Sequence, residues 1–203
     1  MIENSGINEN SENNGNIVGG GNNESAESAD SAQKPTVWVP TYARLIEVSE
    51  TDVDVWGHAN NVCYVHWMQD VAVAHSAAIG WSAQRYLDYG AIWVVRRHTI
   101  EYRQSAYRGE KILAQTWIAE MKNVTCLRRY RFLRLPNDVD AANFNGFMEN
   151  ADDFPKSAIL ATAETLWGFV STGTPRPARV APELREAFEK TVVQGGVRFP
   201  KLR

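Results

Sequence analysis

Two hydrophobic periodicities divide residues 37–190 into a helical stretch and a set of strands. Between positions 62 and 80 the apolar residues recur every three or four positions, as on one face of an α-helix. The stripe consists of Tyr64, Trp67, Met68, Val71, Ala74, Ala78 and Ile79. With Asn60 or Asn61 as N-cap and Gly80 as the stop, the pattern predicts one principal helix of about 18 residues.

Strand patterns lie on both sides of this helix. Residues 37–48 are rich in β-branched and aromatic side chains and predict a first strand. A short second helix is predicted between Ser82 and Gly90. Beyond it, similar patterns predict four long strands, and their length indicates a curved antiparallel sheet. These strands cover 91–104, 110–122, 125–135 and 157–170.

Two further segments complete the predicted domain. Residues 136–155 are polar, lack a periodicity, and are interpreted as an excursion from a hairpin without an element of its own. Residues 179–190 predict a closing amphipathic helix. The fold class is therefore α+β, with a long antiparallel sheet wrapped around one principal helix. Such a sheet leaves an open edge, so we expect the chain to pair into a homodimer or homotetramer.

The composition of the first 33 residues differs from the rest of the chain. They contain eight Asn, five Gly and five Ser, with no Lys, Arg or aromatic residue. We therefore predict a disordered tail over 1–34, a single domain over 37–190, and a C-terminal tail over 191–203. The sequence shows neither a secretory signal nor an apolar run long enough for a membrane span, which predicts a cytoplasmic protein.

Charge and cysteine content exclude several classes of function. Residues 34–203 contain 21 basic and 18 acidic side chains, and this small excess does not predict nucleic-acid binding. Cys63 and Cys126 stand far apart, outside any spacing typical of a disulfide framework or a zinc module. We expect reduced thiols and no bound metal.

The run DVDVWGHANN at 52–61 carries the candidate chemistry. Its D-x-D-x-x-G spacing first suggests a calcium loop, but Trp56 and Cys63 occupy positions where such a loop needs ligands. A zinc site is also excluded, since His66 and His75 are nine positions apart and fall on opposite faces of the predicted helix.

This run instead places a carboxylate, a turn Gly, a His and two Asn directly before a helix N-terminus. Free backbone N–H groups at that end favour negative charge and can stabilise an oxyanion. Asp54 would lie within reach of a carbonyl carbon held there, as attacking group or as base for water. The alternative is that these are ordinary loop and cap residues.

The same run resembles the pattern D-x-D-x-x-G-H-x-N-N-x-x-Y of the hotdog-fold acyl-CoA and acyl-carrier-protein thioesterases. Every fixed position is present: Asp52, Asp54, Gly57, His58, Asn60, Asn61 and Tyr64. The segments at 100–112 and 161–188 are also similar to that family, so the resemblance covers nearly all of 40–190.

The resemblance implies a site and a reaction. In the 4-hydroxybenzoyl-CoA thioesterase branch the catalytic carboxylate matches Asp54, as nucleophile or general base, and a helix N-terminal amide near Asn61 polarises the thioester carbonyl. In acyl-carrier-protein thioesterases the matching His is retained, so His58 is expected to orient water or the carboxylate. The chain departs from those enzymes at Trp56, where they carry Asn.

Further expectations concern the substrate. Asn60, Tyr64 and Trp93 are predicted to contact it, although aromatic side chains at helical spacing also suit a plain core. No separate cofactor is implied, because coenzyme A or pantetheine is part of the substrate, and an acyl-carrier protein is a candidate partner. Alternative functions on this fold are non-catalytic acyl-thioester binding and dehydration. Four arginines are candidates for phosphate contact or for a solvated strand face: Arg128, Arg129, Arg131 and Arg134.

Overall fold

The computed structural model describes residues 40–138, 144–148 and 152–189. The predicted tails at 1–34 and 191–203 lie outside the described residues. The strands are β1 (Thr41–Glu47), β2 (Ala91–Tyr102), β3 (Lys111–Met121), β4 (Thr125–Leu135), β5 (Asn145–Met148) and β6 (Ile159–Ser171). The α-helices are α1 (Asn61–Ala78), α2 (Ala83–Tyr89) and α3 (Pro182–Glu189).

The six strands form one antiparallel sheet in the order β2-β6-β4-β3-β1-β5. One face of this sheet packs against α1. The largest buried cluster lies between them and includes Met68, Val71, Ile112, Phe132 and Leu160, each no more than 2% exposed. The predicted α+β domain, with an antiparallel sheet around one principal helix, is confirmed.

The helix α1 has the predicted length of 18 residues. Asn60 is its N-cap, because its side chain accepts a hydrogen bond from the backbone N–H of Val62. The buried face differs from the predicted stripe in its second half, where Ala72, His75 and Ser76 are buried. His75 hydrogen-bonds to Arg128 of β4, and Ser76 accepts a hydrogen bond from the hydroxyl of Tyr86 of α2. The sequence periodicity alone does not predict these contacts.

The interpretation of 136–155 as a segment without an element is wrong at Asn145–Met148. This stretch forms β5, an edge strand paired with β1. Met148 is fully buried with Leu113 and Leu133 on the sheet face opposite α1. Four residues are too few to show a strand periodicity, so the pairing depends on the free edge of β1 rather than on a local pattern.

The short helices close one end of the domain. Ser82 caps α2 by accepting a hydrogen bond from the backbone N–H of Arg85, and Gly90 ends it in the left-handed region at φ 83°. Leu184 of α3 packs with Trp81 and Phe169 in a separate buried cluster. No helix among the described residues is long and apolar enough to cross a membrane.

Candidate active site

The loop before α1 is a tight reversal closed by backbone hydrogen bonds. The N–H of Gly57 donates to the carbonyl of Asp54 at 2.9 Å, and the N–H of Asp54 donates to the carbonyl of His58 at 2.8 Å. Gly57 adopts φ 80°, which a residue with a Cβ rarely adopts. This Gly therefore allows the chain to turn and places Asp54 beside the start of α1.

One of the two carboxylate oxygens of Asp54 accepts hydrogen bonds from this loop. Its Oδ1 accepts hydrogen bonds from the backbone N–H groups of Trp56 at 2.9 Å and His58 at 3.3 Å. No described residue donates to Oδ2. The side chain is thus held in one orientation while its second oxygen remains available to a ligand or to water.

The start of α1 leaves one backbone donor available. Asn60 uses its side-chain oxygen for the N–H of Val62 and its carbonyl for the N–H of Cys63, each at 2.9 Å. The N–H of Asn61 has no acceptor among the described residues. At a helix N-terminus this donor carries part of the positive end of the helix dipole, so it is suited to an oxyanion.

Asp54 and Asn61 line the same cavity, of about 270 Å³, together with His58 and Tyr64. We call it the Asp54 cavity. Tyr64 is 2% exposed, and its hydroxyl forms no hydrogen bond with the described residues. Burial, with a smaller contribution from Tyr102, raises the pKa of Tyr64 to about 12, so the phenol stays protonated and can donate a hydrogen bond.

The opposite wall comes from the end of β2 and the turn after it, which supply Tyr102, Arg103, Gln104 and Ser105. The Tyr102 hydroxyl donates to the carbonyl of Asn61 at 3.2 Å and ties this wall to α1. Arg134 on β4 fixes the turn by donating to the carbonyl of Ser105 at 2.5 Å. The resemblance at 100–112 marked this segment, but nothing in the sequence assigned these individual side chains to the site.

Asp52, the other carboxylate of the run, has a structural position. Its Oδ2 accepts hydrogen bonds from the backbone N–H and the hydroxyl of Ser49, at 2.8 and 2.6 Å. Burial raises the pKa of Asp52, but these hydrogen bonds outweigh it, and the pKa lies below its ordinary value. Burial also raises the pKa of the neighbouring Cys63 thiol, which disfavours a reactive thiolate.

The remaining predicted site residues lie in different places. His58 lines the Asp54 cavity, but its ring packs edge-on against Tyr107, with centroids 5.2 Å apart, and it bonds to Asp54 only through its backbone N–H and carbonyl. The side chain of Asn60 is occupied as the helix cap. Trp93 lies in a second cavity, beside the second half of α1. Among the described residues, no group of three His, Cys, Asp or Glu could hold a metal ion.

The arginines of β4 divide into two groups. Arg129 and Arg131 pair with Glu164 and Asp152, at 2.8 and 3.1 Å. Arg129 is exposed, as expected for a solvated strand face. Arg128 does not fit that description: it is 4% exposed and lines the second cavity.

With this geometry in place, comparison with known proteins identifies the family. The sequence profile of the Thioesterase-like superfamily matches residues 48–188. The chain belongs to this superfamily, and its fold is a single hotdog domain. This membership supports thioester hydrolysis as the class of reaction. No curated protein sequence matches the chain.

Solved structures of thioesterases share the fold. The 1,4-dihydroxy-2-naphthoyl-CoA thioesterase from Synechocystis is 14% identical with a TM-score of 0.59, and the match covers 74% of this chain and 97% of that one. The DHNA-CoA thioesterase from Staphylococcus aureus is 18% identical with a TM-score of 0.59, covering 74% and 89%. An acyl-ACP thioesterase from Bacteroides thetaiotaomicron is 17% identical with a TM-score of 0.55, covering 68% of this chain and 49% of that protein, or about half its length.

Proposed function

We propose that this protein hydrolyses acyl thioesters to a free acid and a thiol in the Asp54 cavity. The proposal rests on two polar groups that line one cavity and have no hydrogen-bond partner among the described residues. The free Oδ2 of Asp54 can act on a carbonyl carbon or on water, and the free N–H of Asn61 can bind the carbonyl oxygen. A carboxylate and an oxyanion donor on the same cavity suit acyl transfer.

In the general-base route, Asp54 accepts a proton from water while the oxygen of that water attacks the thioester carbon. The carbonyl oxygen becomes an oxyanion and accepts a hydrogen bond from the N–H of Asn61. Collapse of this intermediate breaks the C–S bond, and the thiolate takes the proton from Asp54. The hydroxyl of Tyr64 is a second donor on the cavity wall, and we assign it to binding the acyl group.

In the nucleophilic route, Oδ2 of Asp54 attacks the thioester carbon directly and the thiolate leaves, giving a mixed anhydride. Water then hydrolyses the anhydride and restores the carboxylate. A single turnover in ¹⁸O-labelled water separates the two routes. Label in the Asp54 carboxylate supports the anhydride. Label in the released acid alone is given by the general base and also by water attacking the acyl carbon of the anhydride, so in that case a rapid acid quench decides whether the acyl group is covalently bound to Asp54.

Asp54→Asn tests the proposal, since it preserves the shape of the side chain and removes the carboxylate. Thiol release is measured with short, long and aromatic acyl groups, on coenzyme A and on an acyl-carrier protein. We expect the wild-type protein to release thiol and the variant to lose at least roughly a hundredfold in kcat, the scale of a lost base or nucleophile.

Asp52→Asn is the matched control, because it alters the neighbouring carboxylate of the same run outside the cavity. We expect it to keep activity within about threefold of wild type, since Asn can still accept the hydrogen bonds from Ser49. Equal losses in the two variants would assign the effect to loop structure. An unimpaired Asp54→Asn would refute the proposed site and favour non-catalytic binding.

We also propose that two copies pair along β2. This strand has 12 residues, about 40 Å of backbone, and among the described residues it is bonded to a neighbour on one side only. The edge strand β5 at the other side of the sheet has only 4 residues. Val94 and Val95, near the middle of β2, are each 37% exposed. A long open edge with exposed apolar residues favours pairing with a second copy.

The pairing is tested by light scattering behind gel filtration at micromolar concentration. We expect a dimer mass, or a tetramer built from such dimers, and a smaller species for the double variant Val94→Glu, Val95→Glu. The matched control is Val124→Glu, at a position outside β2 that is equally exposed. A wild-type monomer would refute the pairing.

A further inference from the structure

A second cavity of about 310 Å³ lies beside the second half of α1. Its walls come from α1, α2, β2, β4, β6 and α3, and they are mostly apolar. Trp81, Trp93 and Trp167 supply three indole rings to the lining. The cavity has the size and composition of a site for a small apolar ligand. We call it the Arg128 cavity, because Arg128 supplies its one charged side chain among the described residues.

The guanidinium of Arg128 is buried without a counter-ion. Arg128 is 4% exposed, and its Nη1 hydrogen-bonds to Nδ1 of His75 at 2.8 Å and to the hydroxyl of Thr116 at 3.2 Å. No carboxylate among the described residues pairs with it. A buried charge of this kind is costly unless an opposite charge joins it.

The other arginines on the same strand each have the acidic partner that Arg128 lacks among the described residues. Arg129, Arg131 and Arg134 each form an ion pair, at 2.8, 3.1 and 3.0 Å. All three are more exposed than Arg128, so water screens their charge to some extent. The most buried arginine of β4 is thus the one without an acid, and it faces a cavity.

His75 orients Arg128 but leaves its positive charge in place. The ring is 1% exposed and stacks on Tyr42, with centroids 5.4 Å apart and planes within 2°. Burial, followed by repulsion from Arg128, holds the pKa of His75 well below its ordinary value, so the imidazole is neutral. Its Nδ1 therefore accepts the hydrogen bond from Arg128 and contributes no negative charge.

We propose that the Arg128 cavity binds an apolar group that ends in a carboxylate, with Arg128 as the partner of that carboxylate. A guanidinium offers two parallel N–H donors that match the two oxygens of a carboxylate. The inference rests on the proposed thioesterase function for its substrate class. That class is an acyl thioester whose acyl group carries a second, free carboxylate remote from the thioester.

The proposed pairing along β2 explains how such a group reaches Arg128. Trp93, near the start of β2, lines the Arg128 cavity, whereas Tyr102, at the end of β2, lines the Asp54 cavity. Antiparallel pairing of two β2 strands about their middle sets the start of one beside the end of the other. The Asp54 cavity of each subunit would then adjoin the Arg128 cavity of its partner, and one acyl group could extend from the first into the second.

The test compares CoA thioesters of dicarboxylic acids with those of monocarboxylic acids, matched in chain length over a series. We expect the full-length wild-type protein to favour the acid-terminated member at one or more lengths, by roughly tenfold or more in kcat/KM. Arg128→Met, which keeps an unbranched chain, should abolish this preference, measured as the ratio of kcat/KM for the acid-terminated and the neutral thioester of the same length. Arg129→Met is the matched control and should retain the preference.

Calorimetric binding of the free dicarboxylic acids separates this inference from the proposed function. Binding that Asp54→Asn retains and Arg128→Met loses supports the cavity's ligand, even if no thioester is hydrolysed. Hydrolysis without any preference for acid-terminated groups, and without Arg128-dependent binding, overturns the inference and leaves the thioesterase function standing. If Arg128→Met fails to fold, the preference of the wild-type protein for acid-terminated thioesters decides whether the inference stands. Arg128→Lys should then preserve this preference in part.

Discussion

The two cavities along α1 are built in different ways. The Asp54 cavity takes its reactive groups from one run of ten residues, and short backbone hydrogen bonds hold them. The Arg128 cavity is assembled from six elements, and its charge comes from a strand more than fifty residues after the helix residue that orients it. The first is a local arrangement with free polar groups; the second is an apolar enclosure around one charge.

The two cavities suit different roles because different chemical groups line them. Free donors and acceptors at a helix N-terminus can act on a reacting carbonyl, because they are strongest where charge develops. An apolar cavity with one fixed cation can select a ligand but offers no group that attacks a carbonyl. This contrast supports our proposals of hydrolysis at Asp54 and selection of the acyl group at Arg128.

The largest expected effect concerns the aromatic cluster packed against the first half of α1. Phe132 is fully buried, and its ring centroid lies 5.2 Å from that of Tyr64 and 6.2 Å from that of Trp67. Phe132→Ala should lower the free energy of unfolding by about 3–5 kcal/mol, since it leaves a cavity in the core. Urea denaturation measures the loss. Phe132→Leu is the control and should cost less than about 1.5 kcal/mol; a similar cost for both would show that the cluster is not tightly packed.

The next effect concerns the polar end of the Arg128 cavity. The unfolded chain takes up a proton at His75 near pH 6.5, whereas in the folded state the lowered pKa keeps this ring neutral. The free energy of unfolding should therefore fall as the pH is lowered from 7 to 5.5, by up to about 1.4 kcal/mol per pH unit. Part of this slope comes from His98, whose pKa is also lowered by burial.

His75→Asn should flatten this dependence, because Asn retains an acceptor for Arg128 and does not titrate. His98→Gln is the control for the second histidine with a lowered pKa and should remove only that part of the slope. Denaturation curves at several pH values provide the measurement. A wild-type protein equally stable at pH 7 and 5.5 would contradict the neutral, buried state of His75.

A smaller effect is expected in the Asp54 cavity. Tyr64→Phe removes the uncommitted hydroxyl and keeps the ring packed, so we expect KM for an acyl thioester to rise by about threefold to tenfold with little change in stability. Steady-state kinetics and thermal unfolding are measured together. A fall in kcat alone would instead assign the hydroxyl to the transition state.

The smallest effect belongs to Asp52. Its pKa is lowered in the folded state, so its contribution to stability is present above the unfolded value of about 3.9 and is lost as the pH falls through the folded value. Asp52→Asn should lower stability at pH 7 by less than about 1 kcal/mol, the scale of a cap residue. The difference from wild type should shrink as the pH falls below the unfolded value. A difference that persists there would point to a steric rather than an ionic cause.

The sequence by itself determined the helix α1, most of the sheet and the Asp54 run. Each depends on local rules: the 3.6-residue period, the N-cap at Asn60, and the turn at Gly57. The position of Asp54 directly before the helix made it a candidate, and the resemblance to the thioesterase pattern predicted both Asp54 and Asn61 as site residues. Their catalytic roles remain predictions until the variants are measured.

Only the tertiary structure decided the strand β5, the wall from Tyr102 to Ser105, and the contact of His75 with Arg128. In the sequence, His75 was one polar position in an otherwise plain helix, and Arg128 stood among arginines typical of a solvated strand. Their contact joins residues 53 positions apart and depends on the packing of β4 against α1. Local periodicity does not reveal which residues far apart in the sequence meet in the fold. The free energy that brings His75 and Arg128 together comes from burial of the whole core.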